Sequence, residues 1–128
     1  MKIKNNLIKK IKHKKVIVGI IGLGYVGLPL ALACCKKGFK TIGFDIDKDK
    51  IEKINLGISY IKQIKNINLP KKKRLFATTN FSIIRNCDLI IISVPTPLSK
   101  NLRPDLSYLK KTIKTISPFI ISKKLITL

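Results

Sequence analysis

The sequence predicts an α/β fold of the Rossmann type, a doubly wound parallel sheet carried to about its fifth strand. Three observations predict it. Short apolar runs rich in β-branched residues, at 16–21, 40–44, 75–78, 87–94 and 124–128, alternate with segments of helical periodicity, the pattern of parallel strands joined by helical crossovers. The first run leads into Gly22-Leu23-Gly24-Tyr25-Val26-Gly27, a G-x-G-x-x-G turn directly before a helix, which sets a pyrophosphate on a helix N-terminus. The second run ends on Asp45, an acid about 20 residues beyond the glycines, where a ribose hydroxyl is bound in such folds.

Residues 1–15 alternate Lys with Ile and Leu and carry no acid. Ile3, Leu7, Ile8 and Ile11 sit at helical spacing, so the segment reads as a solvated leader or as a short basic amphipathic helix of the kind that lies on a membrane surface. The solvated leader is the expectation. Residues 16–21 form a continuous apolar run suited to a strand buried on both faces. In the following turn Gly22 permits the tight bend, Gly24 the close approach of phosphates, and Gly27 close helix–strand packing. The helix is expected over 25–37: Leu28, Ala31, Leu32 and Cys35 recur at i, i+3, i+4 and i+7. Pro29 falls in its first turn, where a missing N–H costs nothing, and Gly38 stops it. Cys34 and Cys35 read as small packing residues of that helix.

The second strand, 40–44, is closed by Asp45. Its carboxylate suits ribose hydroxyls and repels a 2′-phosphate, which favours NAD over NADP. Asp45 or Asp47 can instead cap the next helix, and Asp47 is the better candidate for that task. Residues 48–56 read as a helix with Ile51 and Ile54 inward and Gly57 at its end. Residues 58–69 have no clear period, and Pro70 with Lys71-Lys72-Lys73-Arg74 then reads as a solvated basic turn or helix end. A third strand at 75–78, a short helix at 80–85 capped by Thr79 or Asn80, and a central fourth strand at 87–94 follow. The fourth strand is apolar except for Asp88 and Ser93, and Pro95 and Pro97 end it. Pro104 and Asp105 open a helix with Leu106, Leu109, Ile113 and Ile116 on one face, and a fifth strand begins at 124. In strand order 3-2-1-4-5 the crevice lies between strands one and four. Thr96 then either faces a cofactor across from the glycine turn or closes its own turn with its hydroxyl.

Composition narrows the function. The chain of 128 residues is one domain or part of one, and 45% of it is hydrophobic. Its longest apolar runs fall far short of the roughly 20 residues of a membrane span, and no secretory h-region is present. A cytoplasmic protein is therefore expected. Net charge is +21, from 27 basic and 6 acidic residues. Such a balance suits nucleic-acid binding, but the lysines are spread along the chain without clustered Arg and aromatics. A compositional bias toward Lys, Ile and Asn accounts for them. The three cysteines form no C-x-x-C pair and His13 is the single histidine, which argues against a metal site and for a reducing compartment.

Five motifs carry a resemblance. Residues 22–31 (Gly-Leu-Gly-Tyr-Val-Gly-Leu-Pro-Leu-Ala), Gly43-Phe44-Asp45-Ile46-Asp47, Ala77-Thr78-Thr79-Asn80-Phe81, Val94-Pro95-Thr96-Pro97-Leu98 and Pro104-Asp105-Leu106-Ser107-Tyr108 occur in this order. Together they resemble the N-terminal NAD-binding domain of the UDP-glucose/GDP-mannose dehydrogenase family, and the likeness spans residues 16–128. Within that family Gly57-Ile58-Ser59-Tyr60-Ile61 resembles the branch that oxidises UDP-N-acetylhexosamines such as UDP-N-acetylglucosamine.

The resemblance implies a four-electron, NAD-dependent oxidation of a sugar C6 alcohol to the carboxylate through a cysteine thioester. It implies that Tyr25 and Val26 offer backbone N–H groups to the pyrophosphate, that Asp45 holds the ribose, that Lys50 lies near the adenosine end, and that Thr96 touches the cofactor. It also implies that the catalytic cysteine and lysine and the sugar-nucleotide domain lie beyond Leu128, so residues 16–128 are an incomplete cofactor half, inactive alone. The UDP-sugar, and a homodimer, are then partners of the full-length enzyme. A basic nucleic-acid-binding module on the same fold and an inert gene remnant are the rival readings.

Overall fold

The computed structural model of the chain describes residues 2–66, 69, 74–120 and 124–128. Its elements run α1 (Lys2–Lys12), β1 (Ile17–Ile21), α2 (Gly27–Lys36), β2 (Lys40–Phe44), α3 (Lys48–Asn55), β3 (Leu75–Thr78), a 3₁₀ helix (Phe81–Asn86), β4 (Leu89–Ile92), α4 (Ser107–Ile116), a 3₁₀ turn (Ser117–Phe119) and β5 (Leu125–Thr127). The five strands form one parallel sheet in the order β3-β2-β1-β4-β5, as the sequence predicts. Strand β1 is central, with Gly19 opposite both Ile42 and Ile90.

Because side chains alternate along each strand, the sheet has two apolar faces and a core on each. Val18 and Ile20 of β1, Leu75 and Ala77 of β3, and Leu89 and Ile91 of β4 meet Leu28, Ala31 and Cys35 of α2 and Ile51 and Ile54 of α3. On the other face Ile21, Ile42, Phe44, Ile90 and Ile92 meet Ile84 of the 3₁₀ helix, Cys87 and Ile116 of α4. Two glycines let neighbours come close: a Cβ on Gly19 would stand 2.8 Å from Cys87 Sγ, and one on Gly43 2.8 Å from Leu23 Cδ1.

Local chemistry sets the element ends. The Asp47 side chain accepts from the Asp49 and Lys50 N–H groups at the start of α3, and Asn80 accepts from Ser82 N–H, so Asp47 and Asn80 are the caps. The outer edge of β3 is covered by the Asn55 amide, which donates to Ala77 O at 2.9 Å and accepts from Ala77 N–H at 3.1 Å. Helix α2 begins at Gly27 rather than residue 25, because Pro29 has no N–H to give the Tyr25 carbonyl and the unbroken i→i−4 series starts with Leu30 N–H on Val26 O at 3.2 Å. Strand β4 is shorter than expected, since the Cys87 N–H still closes the preceding 3₁₀ helix on Ile84 O. Of the expected α4 face, Ile116 is buried and Leu109 half-buried, while Leu106 and Ile113 are 43% and 47% exposed. Residues 67, 68 and 70–73, with most of the basic run, lie outside the described residues.

The first residues are helical, where a solvated leader is the expectation. Leu7 of α1 packs on the first core, and Lys10 reaches Asp88 at 2.9 Å. Lys14 donates to the Lys37 carbonyl that ends α2, and its ammonium lies 5.3 Å over the Phe39 ring. These contacts join residues distant in sequence, so periodicity alone does not show them. Asp88 also accepts from Ile17 N–H at 3.0 Å. Partial burial acts to raise the Asp88 pKa, but the Ile17 N–H and the Lys10 ammonium, with Lys124 beyond, outweigh it and hold the carboxyl below its ordinary value. Cys87 is pushed up to about 12, by burial first and against the pull of Lys124. Cys34 and Cys35 are raised, chiefly by burial, so all three thiols stay protonated packing groups.

Two outcomes follow from this packing. A Cβ at Gly27 would stand 1.6 Å from Gly22 O, so Gly27→Ala is expected to cost about 3 kcal/mol; urea unfolding checks it, and a loss below about 1 kcal/mol contradicts the packing. The lowered Asp88 pKa contributes stability that is complete at neutral pH and lost as pH falls through its folded value. Asp88→Asn is therefore expected to make the acid-side fall in thermal midpoint below about pH 4 shallower. An unchanged profile would mean that the carboxylate holds nothing.

Candidate functional site

The carboxyl ends of β1, β2 and β4 open into one cleft of about 540 Å³. The turn after β1, residues 22–26, forms its floor. Asp45, Ile46 and Asp47 after β2, with Lys50 of α3, make one wall. Ser93, Val94 and Pro95 after β4 make the other, extended by Tyr108, Lys111, Thr112 and Thr115 of α4.

The turn itself is held peptide by peptide. Gly22, at φ +91°, takes a conformation that side chains disfavour; its N–H donates to Phe44 O at 2.8 Å. Its carbonyl accepts from Ser93 Oγ at 2.9 Å, and the same hydroxyl reaches Ile21 O at 3.1 Å. Leu23 N–H donates to Asp45 Oδ2 at 2.8 Å, and Leu23 O accepts from the Tyr60 hydroxyl. The Leu23 side chain is fully buried, seated against Gly43 of β2. Past this point the pattern changes. The N–H groups of Gly24, Tyr25 and Val26 have no acceptor among the described residues, and a Cβ on Gly24 would meet nothing within 4 Å.

Three free N–H groups at the entrance of a helix, with open space over a glycine, make an anion cradle. The helix dipole adds to it, and no acid stands in the first turn of α2. Asp45 is half-buried and accepts from Leu23 N–H and, through Oδ1 at 2.9 Å, from Asp47 N–H. A carboxylate accepts about four hydrogen bonds, so capacity remains for a pair of hydroxyl donors on the cleft side. The residues thus fit a dinucleotide: donors for a pyrophosphate, a fixed carboxylate for a ribose diol, and cleft space beside Ile46 and α4 for the rest of the ligand.

Gly22, Gly24, Tyr25, Val26, Asp45 and Lys50 all line the cleft. Gly27 sits behind it, packed on Gly22. Thr96 is exposed and is not among the lining residues; the wall from β4 ends at Pro95. Sequence reasoning missed Tyr60, Phe81 and the cleft face of α4. Ser93 had a signal, as a lone polar residue near the end of an apolar strand. Cys34, Cys35 and Cys87 are away from the cleft lining, and no group of three metal-ligating side chains occurs among the described residues. No helix of the described residues is long and apolar enough to cross a membrane.

Comparison with known proteins gives the same reading. The model of the UDP-glucose/GDP-mannose dehydrogenase family NAD binding domain matches residues 15–128. The chain is 36% identical over 103 residues to UDP-N-acetyl-D-glucosamine 6-dehydrogenase of Pseudomonas aeruginosa, covering 80% of this chain and 24% of that protein. It is 36% identical over 107 residues to UDP-N-acetyl-D-mannosamine dehydrogenase of Pyrococcus horikoshii, covering 78% and 25%. A crystal structure of a ternary complex of GDP-mannose dehydrogenase from Pseudomonas aeruginosa superposes with a TM-score of 0.75 at 34% identity, over 83% of this chain and 26% of that one. The chain thus spans about a quarter of the length of these relatives. With a parallel sheet in the order 3-2-1-4-5 and this glycine turn at its switch point, the chain belongs to the UDP-glucose/GDP-mannose dehydrogenase family and corresponds to its NAD-binding domain.

Proposed function

We propose that this chain binds NAD and serves as the cofactor-holding part of a nucleotide-sugar 6-dehydrogenase acting on a UDP-N-acetylhexosamine. One observation carries the cofactor reading: three backbone N–H groups, at Gly24, Tyr25 and Val26, without an acceptor among the described residues, lie 19 to 21 residues before a carboxylate that is fixed at the end of β2. The nucleotide-sugar class comes from the family. The N-acetylhexosamine branch is supported by residues 57–61 and by the names of the two relatives above, which act on UDP-N-acetylglucosamine and UDP-N-acetylmannosamine.

In this reading Gly24, Tyr25 and Val26 donate to the pyrophosphate and Asp45 accepts from the adenosine ribose hydroxyls. Lys50 closes the wall on the adenosine side, and Ile46 with Thr112 and Thr115 shields the base from water. Bound NAD supplies the hydride acceptor for the alcohol and aldehyde oxidations. The residues of this chain bind and orient it, and Asp45 disfavours a cofactor with a 2′-phosphate. None of them supplies a thiolate, since all three cysteines are packed away from the cleft with raised pKa values. The sugar nucleotide, and pairing of subunits, are proposed as partners of a longer enzyme. The charge of +21 is read as compositional, and nucleic acid has no part in the proposal.

Calorimetric titration tests this directly. Asp45→Ala, shown to be folded by its unfolding transition, is expected to weaken NAD binding about tenfold or more. Equal affinity in the variant sinks the ribose assignment. Gly24→Ala separates function from fold, because its Cβ enters open space: the thermal midpoint is expected to stay within about 2 °C while NAD affinity falls at least about tenfold. A variant that binds NAD normally would show that the phosphates do not pass over Gly24.

A further inference from the structure

We infer that Tyr60, which lies outside the cleft, is a positioning residue for the anion cradle: its hydroxyl fixes the Leu23–Gly24 peptide so that the Gly24 N–H is presented to the pyrophosphate. The inference rests on the cofactor reading above.

The geometry is specific. Tyr60 donates to Leu23 O, and in a trans peptide the N–H of the next residue points opposite that carbonyl. Leu23 O turned toward Tyr60 therefore carries the Gly24 N–H away from Tyr60, leaving it without an acceptor among the described residues. The adjacent peptide is fixed from the other direction, with Leu23 N–H on Asp45 and Gly22 O on Ser93. Among the described residues Tyr60 is the one side chain that hydrogen-bonds the Leu23 carbonyl, where glycine at 24 leaves the backbone free to rotate.

Tyr60 is itself held in place. Its neighbour Ile61 is buried in the first core at 5% exposure. Ser59 Oγ accepts from Ile61 N–H at 3.2 Å and donates to Ile61 O at 3.0 Å, while Ser59 N–H donates to Asn66 Oδ1 at 2.7 Å. The Lys50 ammonium lies 5.8 Å over the Tyr60 ring, which links this support to the adenosine wall. Burial first, then the charges of Asp45 and Asp47, raise the phenol pKa, so the hydroxyl stays protonated and acts as the donor.

The test is Tyr60→Phe, which keeps the ring and its packing and removes the hydroxyl. Wild-type and variant proteins are titrated with NAD, with ADP, which keeps a pyrophosphate, and with adenosine, which has none. The expected result is a loss of about fivefold for NAD and ADP, with adenosine binding unchanged. Unchanged binding of all three overturns the role. So does an equal loss for adenosine, because Tyr60 would then hold the pocket generally. If wild-type protein binds adenosine but gains nothing from the pyrophosphate of ADP or NAD, the cofactor reading falls instead. Should the variant not fold, proton NMR of the wild-type chain decides. A slowly exchanging Tyr60 hydroxyl proton with a nuclear Overhauser effect to the Leu23–Gly24 peptide supports the inference, and a fast-exchanging one overturns it.

Discussion

The structure depends on how Leu23 is held. Its side chain is a core residue with no exposed surface, pressed onto β2 where Gly43 leaves room. Its N–H goes to Asp45 at the end of β2, and its carbonyl to Tyr60 beyond α3. Burial of a leucine side chain is worth about 1.5–3 kcal/mol, so the turn is tied to the same free energy that holds sheet and helices together. A glycine-rich turn would otherwise be a costly place to order. Here the ordering accompanies folding, and a ligand that meets the turn finds its donors already set. Gly27 extends the constraint, because its lack of a side chain allows α2 to start against Gly22 O.

Charge is divided with equal economy. The chain is strongly basic, yet the carboxyl end of β2 carries Asp45 and Asp47 two residues apart. Asp47 is used by α3, accepting from two of its first N–H groups, a capping task that orients the helix. It also donates its own N–H to Asp45. That bond and the Leu23 N–H fix the Asp45 carboxylate on the protein side and leave its remaining lone pairs toward the cleft. Lys50 and Lys111 stand on opposite walls, so the cleft offers cationic groups on two sides of a carboxylate.

The parts of the fold legible in the sequence were those written in local periodicity or local chemistry. The strands themselves, the inward faces of α2 and α3, the Asp47 cap and the glycine turn follow from patterns within about 20 residues, and the strand order follows from the doubly wound plan that their alternation implies. What was not legible depends on contacts between distant segments. Lys10 meets Asp88 across 78 positions, and Tyr60 meets Leu23 across 37; no spacing rule marks either pair. The α1 helix gains its place from Leu7 on the core and that ion pair, contacts that the helical spacing of its apolar residues does not reveal, which is why a solvated leader is the expectation over a helix. Thr96 is exposed and lies just past the lining that β4 contributes through Ser93, Val94 and Pro95, a one-residue distinction within a loop that position in the sequence does not make. Ile113 faces a shallow groove beside β5, which helical period cannot distinguish from core.

Residues 57–61 bear on what a family signature means. By resemblance they mark the N-acetylhexosamine branch, and a natural reading would place them near the sugar. Their described contacts are otherwise: Ile61 lies in the first core, Ser59 closes the segment on itself and on Asn66, and Tyr60 supports the cofactor turn. Within this chain these side chains serve the glycine turn and their own segment. Relatives named for UDP-N-acetylglucosamine and UDP-N-acetylmannosamine match this chain at the same 36% identity, so overall identity does not separate these sugars. Sugar discrimination needs groups that touch the hexose. In residues 57–61 the bond on display is that of the Tyr60 hydroxyl to Leu23 O, which holds a peptide plane of the glycine turn.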